Sequence, residues 1–489
     1  MELKIKKLRL YAGKPVCMIH EDTAKSMSLH VGNRVSIKKN KKELISVVDT
    51  VQGIIRRNEI GVSEEILLFL SVKDKDFVNV TLSERPHSIE LIKKKLNGSK
   101  LTRQEIREII FNIANNSLTE VEVAFFITAV YVKDMDIDET TYLIEAMVDS
   151  GNKINLPGKI VDKHSIGGVA GNRTTPIIVS ICAAAGLIMP KTSSRAITSA
   201  AGTADSIETM AKVDFSIPDI EKIIKKTNAC FVWGGALGLA PVDDKIIKIE
   251  KIANIDSTPQ LLASILSKKI SVGSKYILID IPCGNSAKVS NNEAKELAKK
   301  FLLLGKKFGL KIEVIKTDGS EPIGNGIGPA LEMKDVISVL SRDKSCPKDL
   351  EEKSLGLAGK ILELAEVVNK GSGKKLAIEI LESKKAYKKF EEILHAQKGK
   401  IIALPYAKFS KDIYAKKDLI IKHIDNKIAN QLARIAGCPE DKFAGVYLHK
   451  KKGDRVKKQD KLFTIYSESK EKLEHANRYC NLWIKKMVI

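Results

Sequence analysis

The sequence predicts a multidomain α/β protein. Its 489 residues exceed what one hydrophobic core usually supports, so several domains are expected. Strand-like and helix-like patterns alternate from residue 157 to residue 345, which is typical of an α/β sheet domain. Short alternating runs before residue 85, and a change to an α+β pattern after residue 346, set both ends of the chain apart from this domain.

Residues 1–84 predict a small N-terminal β-barrel. Apolar and polar residues alternate in Leu3–Leu10, Val35–Lys38, Leu44–Val48 and Val78–Leu82, and Gly and Asn turns separate these runs. Side chains of a strand point alternately to its two faces, so each run can bury one face inside a barrel. We expect this domain to serve packing or assembly.

Residues 85–156, together with 241–272, predict a helical domain. Thr102 with Glu105, and Thr119 with Glu122, have the spacing of helix capping boxes. The segments that follow carry apolar residues at helical spacing.

Residues 157–240 and 273–345 predict the α/β phosphate-binding domain, with a mixed sheet, and residues 346–489 a C-terminal α+β domain. Near its end, GVYLHKKKGDRVKKQDKLFTIYS resembles the paired short strands of a biotinyl/lipoyl-like hammerhead. Its Lys-rich turn lacks the flanked modifiable lysine of a carrier domain, so a structural module is expected.

Composition narrows the function classes. The net charge of +22 would suit nucleic-acid binding, but the lysines are interleaved with acidic residues and aromatic residues are only 5% of the chain. A solvated, Lys-rich surface that attracts anionic substrates is therefore favoured. The seven cysteines form no CxxC pair and the eight histidines no HExxH motif, so neither disulfides nor a metal site are expected. The N-terminus lacks an apolar signal core and no long apolar run occurs, which predicts a cytoplasmic protein.

The stretch from Asp162 to Glu208 is the strongest candidate for a functional site. The Gly-rich turn HSIGGVAGN follows a short apolar run and precedes TTPIIVSICAAAGL, in which Thr175 is the expected N-cap and Pro176 the first helical residue. A Gly-rich loop before a helix offers free backbone N–H groups and the positive end of the helix dipole to an anion. Lys163 lies at the start of this loop.

A second polar loop follows, KTSSRAITSAAGTADSIE, with many hydroxyl groups around Arg195. Two such loops with Lys163 and Arg195 predict a phosphate cradle. The chain has no GxxxxGK[ST] motif, and HSIGGVAGN lacks the GxGxxG spacing of a dinucleotide site.

The two loops, DKHSIGGV and SSRAITSAAGTADSIE, resemble those of the thymidine/pyrimidine-nucleoside phosphorylase family. The family pattern of the second loop is matched by six residues, Ser193, Arg195, Gly202, Thr203, Asp205 and Glu208. The resemblance extends over residues 86–489. The extra N-terminal segment and several altered site residues resemble the nucleotide-using branch of that family, which cleaves AMP and is best known from archaea.

A further segment, DSTPQLLASILSKK, resembles the base-recognition helix of these phosphorylases. Ser264 and Lys268 are four residues apart, so they share one face of a helix, and Asp256 lies just before its start. From the residues alone, Asp256 could simply cap the helix. The resemblance implies that Ser264 and Lys268 contact the nucleobase. The family's pyrimidine-binding arginine, seven residues before the aspartate, is replaced by Ile249, which cannot hydrogen-bond a pyrimidine oxygen.

The resemblance implies phosphorolysis of AMP to adenine and ribose 1,5-bisphosphate, with CMP and UMP as further substrates and no cofactor. Asp256 would donate a proton to the leaving base, and the helical domain would close over the site. The implied phosphate-binding residues are Lys163, Ser165, Thr175 and Ser193. The implied substrate-binding residues are Gly168, Ser194, Arg195, Ala196, Ile197, Thr198, Ser199, Thr203, Ser264, Lys268 and Lys288. The family also implies a homodimer or a larger homo-oligomer.

Three alternatives stay open at this point. An ordinary pyrimidine-nucleoside phosphorylase would share the loops. A phosphoribosyltransferase of the anthranilate type shares the general fold, but it requires a GTGGD-like loop that HSIGGVAG matches poorly. An RNA-binding or assembly scaffold would use the barrel and the positive charge.

Overall fold

The computed structural model describes residues 1–13, 15–196, 199–253 and 255–487. The chain forms two units: the first contains Met1–Gly151 and Pro241–Ser264, and the second contains Asn152–Ala240 and Ile265–Ile489. No described helix has the length and apolar character that crossing a membrane requires.

The first unit begins with a closed six-stranded barrel, as predicted. Its elements are β1 (Glu2–Lys7), β2 (Cys17–His20), α1 (Glu21–Ser26), β3 (Arg34–Lys39), β4 (Lys42–Val51), β5 (Glu59–Val62), α2 (Glu64–Leu70) and β6 (Phe77–Ser83). The strand order is β1-β5-β2-β4-β3-β6. Alternate residues such as Leu3 and Ile5 of β1, and Val35 and Ile37 of β3, fill the barrel core.

Helices complete the first unit. They are α3 (Ser88–Leu96), α4 (Arg103–Ala114), α5 (Glu120–Lys133), α6 (Ile137–Asp149), α10 (Pro241–Ala253) and the first half of α11 (Thr258–Ser271). Both predicted capping boxes are present: Thr102 with Glu105 starts α4, and Thr119 with Glu122 starts α5.

The second unit contains parallel strands flanked by helices. This part comprises β7 (Val161–Ser165), α7 (Thr174–Ala184), β8 (Met189–Ser193), α8 (Thr203–Ile207), α9 (Ile217–Thr227), β9 (Ala229–Trp233), a 3₁₀ turn (Gly234–Leu237), β10 (Tyr276–Cys283), α12 (Asn291–Lys307), β11 (Lys311–Asp318), β12 (Gly326–Ile327) and α13 (Pro329–Ser341). The pairs β11-β10, β10-β7 and β8-β9 are all parallel. The two-residue strand β12 instead pairs antiparallel, with a strand near the C-terminus.

The core of this α/β part extends further along the chain than the boundary at 345 that the sequence analysis placed. Three helices follow, α14 (Lys348–Leu364), α15 (Gly373–Glu382) and α16 (Lys385–Ala396). Their buried residues, among them Leu362, Ile380 and Phe390, belong to the same hydrophobic core as Ile177 of α7 and Phe231 of β9. Helical periodicity alone does not tell which sheet a helix covers, so this boundary was set too early.

The rest of the second unit is an antiparallel module. Its elements are β13 (Phe409–Tyr414), β14 (Leu419–Ile420), α17 (Asn426–Ala436), β15 (Gly445–Leu448), β16 (Arg455–Val456), β17 (Lys461–Ser467) and α18 (Lys470–Met487). One sheet has the order β12-β15-β17-β13, and β14 pairs with β16.

A buried ion pair links two helices of the first unit. Lys95 of α3 and Glu139 of α6 are 3% and 4% exposed in their side chains, and Lys95 Nζ lies 2.8 Å from Glu139 Oε1. Glu139 also accepts a hydrogen bond from the backbone N–H of Leu101. A buried ion pair of this kind becomes costly when one partner is removed.

We predict that Lys95→Met destabilises these helices by about 3–5 kcal/mol, because the Glu139 carboxylate would stay buried without its cation. Amide hydrogen exchange of α3 and α6 measures the loss. Lys93→Met, which removes the exposed partner of Glu90 on the same helix, is the matched control and should change protection little. Equal protection in both variants would contradict the prediction.

Candidate active site

The first predicted loop joins β7 to α7 and closely approaches the loop that follows β10. Gly168 has φ +88°, and a Cβ atom built there would lie 2.7 Å from the backbone nitrogen of Lys288 and 2.8 Å from its Cβ. Only glycine tolerates both that φ and that approach. The structure therefore brings together Gly168 and Lys288, two residues that the sequence analysis assigned to the substrate.

The helix after this loop begins two residues earlier than predicted. Thr174 is its first residue and Arg173 its N-cap, so Thr175 is not the N-cap and Pro176 is not the first helical residue. The prediction was wrong because the first four N–H groups of a helix have no partner within it, so proline fits anywhere in the first turn. Thr175 is buried in that turn.

Lys163 and Ser165, both predicted to bind phosphate, face one carboxylate. The Ser165 hydroxyl donates a hydrogen bond of 2.9 Å to Asp280 Oδ2, and Lys163 Nζ lies 3.9 Å from the same oxygen. Lys163 Nζ also donates to Thr174 Oγ1 at 3.0 Å. Burial lowers the pKa of Lys163 to about 8, although the charge of Asp280 opposes this shift. The sequence analysis missed Asp280, which looks like any residue of a buried strand.

A second buried carboxylate, that of Asp162, lies on β7, the strand that also carries Lys163 and Ser165. Asp162 Oδ1 is 3.1 Å from Lys191 Nζ, and Oδ2 is 2.5 Å from Lys269 Nζ. Burial alone would raise the pKa of Asp162, but the two lysine charges outweigh it and lower the pKa. Burial lowers the pKa of Lys269 to about 7. Burial and the surrounding lysines also lower the pKa of His164 well below its usual value, which favours the neutral imidazole.

The second loop is held by a carboxylate at the start of α8. Asp205 Oδ2 accepts hydrogen bonds from the backbone N–H groups of Ala196 at 2.7 Å and Gly202 at 2.8 Å. Ser199 donates to the carbonyl of Ala201 at 2.7 Å. These bonds fix the backbone on both sides of Ile197 and Thr198, which lie outside the described residues.

The guanidinium of Arg195 is held by carboxylates of its own segment. It donates to Glu208 at 2.7 and 2.9 Å and to Asp205 at 3.2 Å, and it lies 4.9 Å from the centre of the Trp233 ring. The hydrogen bond from Arg195 lowers the pKa of Glu208 to about 2. The expected fixed cation of the cradle is thus largely neutralised, because two carboxylates follow it at ten and thirteen residues. Its contact with substrate stays a prediction.

Arg173 connects the two loops, and the sequence analysis missed it. It is 7% exposed. Its Nη1 donates to Thr203 Oγ1 at 2.8 Å, Nη2 to the carbonyl of Ala201 at 2.7 Å, and Nε to Glu332 Oε2 at 2.7 Å. The sequence does contain a signal for Arg173, because a cation directly precedes Thr174, the residue at which the helix after the Gly-rich loop begins.

The predicted base-recognition residues lie on or beside α11. Ser264 donates to Asp243 Oδ2 at 2.9 Å, and both residues belong to the first unit. Asp256, also in the first unit, is exposed. Lys268 lies in the half of the helix that belongs to the second unit, and Ile249 lies on α10.

The other predicted residues occupy the ends of the second loop. Ser193 ends β8 and its hydroxyl is 3.4 Å from the carbonyl of Val232, while Ser194 is exposed. The second unit thus carries hydroxyl groups and buried ammonium groups on β7 and β8, and the N-terminus of α7 follows the first of these strands. These are the groups that hold phosphate oxygens.

Three family models match the chain. The helical bundle domain of a glycosyl transferase family matches residues 89–151, and the a/b domain of that family matches residues 157–387. The pyrimidine nucleoside phosphorylase C-terminal domain matches residues 420–483. The predicted resemblance is therefore confirmed in the helical, α/β and C-terminal parts.

Among solved structures, anthranilate phosphoribosyltransferase from Thermus thermophilus is similar in fold. The TM-score is 0.54 at 17% identity, covering 63% of this chain and 99% of that one. At this identity the likeness shows the fold alone.

Curated relatives match almost the whole chain. AMP phosphorylase of Thermococcus sibiricus is 44% identical over 482 residues, which are 97% of this chain and 95% of that protein. AMP phosphorylase of Methanocaldococcus jannaschii is 42% identical over 463 residues, or 94% and 92% of the two chains. Identity at this level, along nearly the full length of both proteins, includes the barrel, the two loops and α11. The chain therefore belongs to the AMP phosphorylase family.

Proposed function

We propose that this protein catalyses the phosphorolysis of AMP, giving adenine and ribose 1,5-bisphosphate. The observation that carries the proposal is the similarity to proteins named AMP phosphorylase over nearly the whole chain. The resemblance places Ile249 where pyrimidine phosphorylases have a base-binding arginine, which agrees with a relaxed or redirected choice of base.

In the proposed reaction an oxygen of inorganic phosphate forms a bond to C1′ as the bond from C1′ to the adenine nitrogen breaks. The electron pair of that bond leaves with the base, which takes up one proton. Positive charge develops on the ribose ring and is stabilised by the anionic nucleophile. Asp256 is the proposed proton donor. It is exposed in the structure.

We assign the attacking phosphate to Lys163, Ser165, Thr175 and Ser193. The assignment is supported by the burial of the Lys163 ammonium and by its hydrogen bond to Thr174 at the start of α7. A desolvated cation attracts an anion more strongly than an exposed one does.

We assign the nucleotide to Gly168 of the first loop, to the second loop and to Lys288 in the loop after β10. The residues are Gly168, Ser194, Arg195, Ala196, Ile197, Thr198, Ser199, Thr203 and Lys288, with Ser264 and Lys268 for the base. The close approach of Gly168 to Lys288 and the anchoring of Thr203 by Arg173 support this assignment.

Four finer points are proposals as well. CMP and UMP would be further substrates, the protein would form a homodimer or a larger homo-oligomer, and it would act in the cytoplasm. The C-terminal strands would form a hammerhead-like structural module.

We predict that the purified protein releases adenine from AMP only when inorganic phosphate is present. Chromatography of the free base and ³¹P NMR of the sugar product measure the reaction. AMP without phosphate, and thymidine or uridine with phosphate, are the controls. Brisk cleavage of thymidine or uridine without cleavage of AMP would contradict the proposed substrate.

Asp256→Asn should lower kcat by roughly 10²–10⁴-fold, because an amide cannot give a proton to the leaving base. Steady-state rates measure the change. Asp138→Asn makes the same substitution on α6, a helix that carries none of the proposed site residues, and is the matched control. Turnover that is equal in the two variants would remove Asp256 from its role.

Gly168→Ala should raise KM for AMP by roughly 10–100-fold, because the added Cβ would displace the loop from the Lys288 backbone. Gly186→Ala is the matched control, since Gly186 has the same φ of +88° but open space around its Cβ position. The difference between the variants isolates the steric effect from backbone strain. Equal KM values would show that the approach of the loop to Lys288 does not shape the site.

A further inference from the structure

One carboxylate oxygen of the second unit gathers two proposed phosphate ligands, Lys163 and Ser165, and a second cation. Asp280 lies on the central strand β10, directly opposite Ser165 of β7 in the register, and is fully buried. Its Oδ2 accepts the Ser165 hydroxyl at 2.9 Å and lies 3.9 Å from Lys163 Nζ. Its Oδ1 accepts the Thr317 hydroxyl at 2.6 Å.

The second cation is Lys353, which α14 brings to the same oxygen. Its side chain is 10% exposed and its Nζ lies 3.6 Å from Asp280 Oδ2. Within the described part of the chain this Nζ has no hydrogen-bond partner, although an ammonium group has three donors. A buried ammonium left in this condition is costly and calls for a reason beyond packing.

We infer that Asp280 is a positioning residue of the phosphate site, which aims Lys163, and that Lys353 is the cation that sets the charge balance around it. The inference rests on the proposed function. It adds to the site two residues, on β10 and α14, that neither loop contains.

The charges around Lys163 determine the pKa of its ammonium group. Burial lowers the pKa of Lys163 to about 8. Asp280 and Asp162 act in the opposite direction and raise the pKa. Lys353 and Arg173 add to the effect of burial and lower it. Because only the protonated amine attracts phosphate, phosphate affinity should fall as pH rises through about 8.

Two variants should therefore shift, in opposite directions, the pH at which phosphate affinity falls. Asp280→Asn removes a charge that favours the ammonium form, so the fall should move to lower pH by about one pH unit or more. It should also raise KM for phosphate by roughly 10–100-fold, with a smaller effect on KM for AMP. Lys353→Met removes a like charge, so the fall should move to higher pH. A purely structural role would not produce shifts of opposite sign.

The experiment uses the full chain and measures kcat/KM for phosphate from about pH 6 to about pH 10. Thr317→Val is the control, since it removes the hydrogen bond that the Thr317 hydroxyl donates to Asp280 without changing a charge. Opposite shifts in Asp280→Asn and Lys353→Met, with none in Thr317→Val, would support the inference. Unshifted profiles, or shifts of the same sign, would overturn it. If Asp280→Asn does not fold, the Lys353→Met variant alone tests the inference. A shift of its profile to higher pH would support the inference, and no shift or a shift to lower pH would overturn it.

Calorimetric titration with inorganic phosphate alone separates this inference from the proposed function. A wild-type protein that binds phosphate with the predicted pH dependence but does not cleave AMP would contradict the function only. A wild-type protein that cleaves AMP, with variants that bind phosphate as it does at every pH, would contradict the role of Asp280 and Lys353 only. Absence of any phosphate binding by the wild type would overturn both.

Discussion

Buried positive charge is the constraint on which the second unit depends. Five buried or nearly buried cations of this unit form ion pairs with three buried carboxylates. The cations are Lys163, Lys191, Lys269, Lys353 and Arg173, and the carboxylates are Asp162, Asp280 and Glu332. Burial raises the pKa of Glu332, which weakens one of the compensating charges. Burial of an uncompensated charge costs several kcal/mol, and the lowered pKa values of Lys163 and Lys269 are one way in which the protein relieves this cost. A bound anion would relieve this cost as well.

The same charges also give the loops a fixed shape. A loop has few regular hydrogen bonds, so its donors point at a ligand only when other elements hold them. Asp205 holds the backbone of the second loop, Arg173 ties Thr203 to α13 through Glu332, and Asp280 holds Ser165. Donors held in place before the substrate arrives need little reorganisation during the reaction.

Much of the local structure could be predicted from the sequence, because it depends on neighbouring residues. The capping boxes at Thr102 and Thr119, and the barrel strands with their alternating residues, needed only short-range patterns. Asp280 and Lys353 could not be found in this way, since they lie 115 and 188 residues beyond Ser165 and only the sheet and α14 bring them to it. The start of α7 was misplaced for the opposite reason: proline and threonine fit several positions of a first turn equally well.

The likeness in fold to a phosphoribosyltransferase shows why the site, and not the sheet, must carry the functional argument. We expect the buried cations of the second unit to bind the anions of the reaction. A crystal structure with AMP and sulfate, as a stand-in for inorganic phosphate, tests this expectation most directly. We expect sulfate within hydrogen-bonding distance of Lys163 Nζ and the Ser165 hydroxyl, and the AMP phosphate along residues 194–199. Both anions bound elsewhere, with no anion beside Lys163, would contradict it.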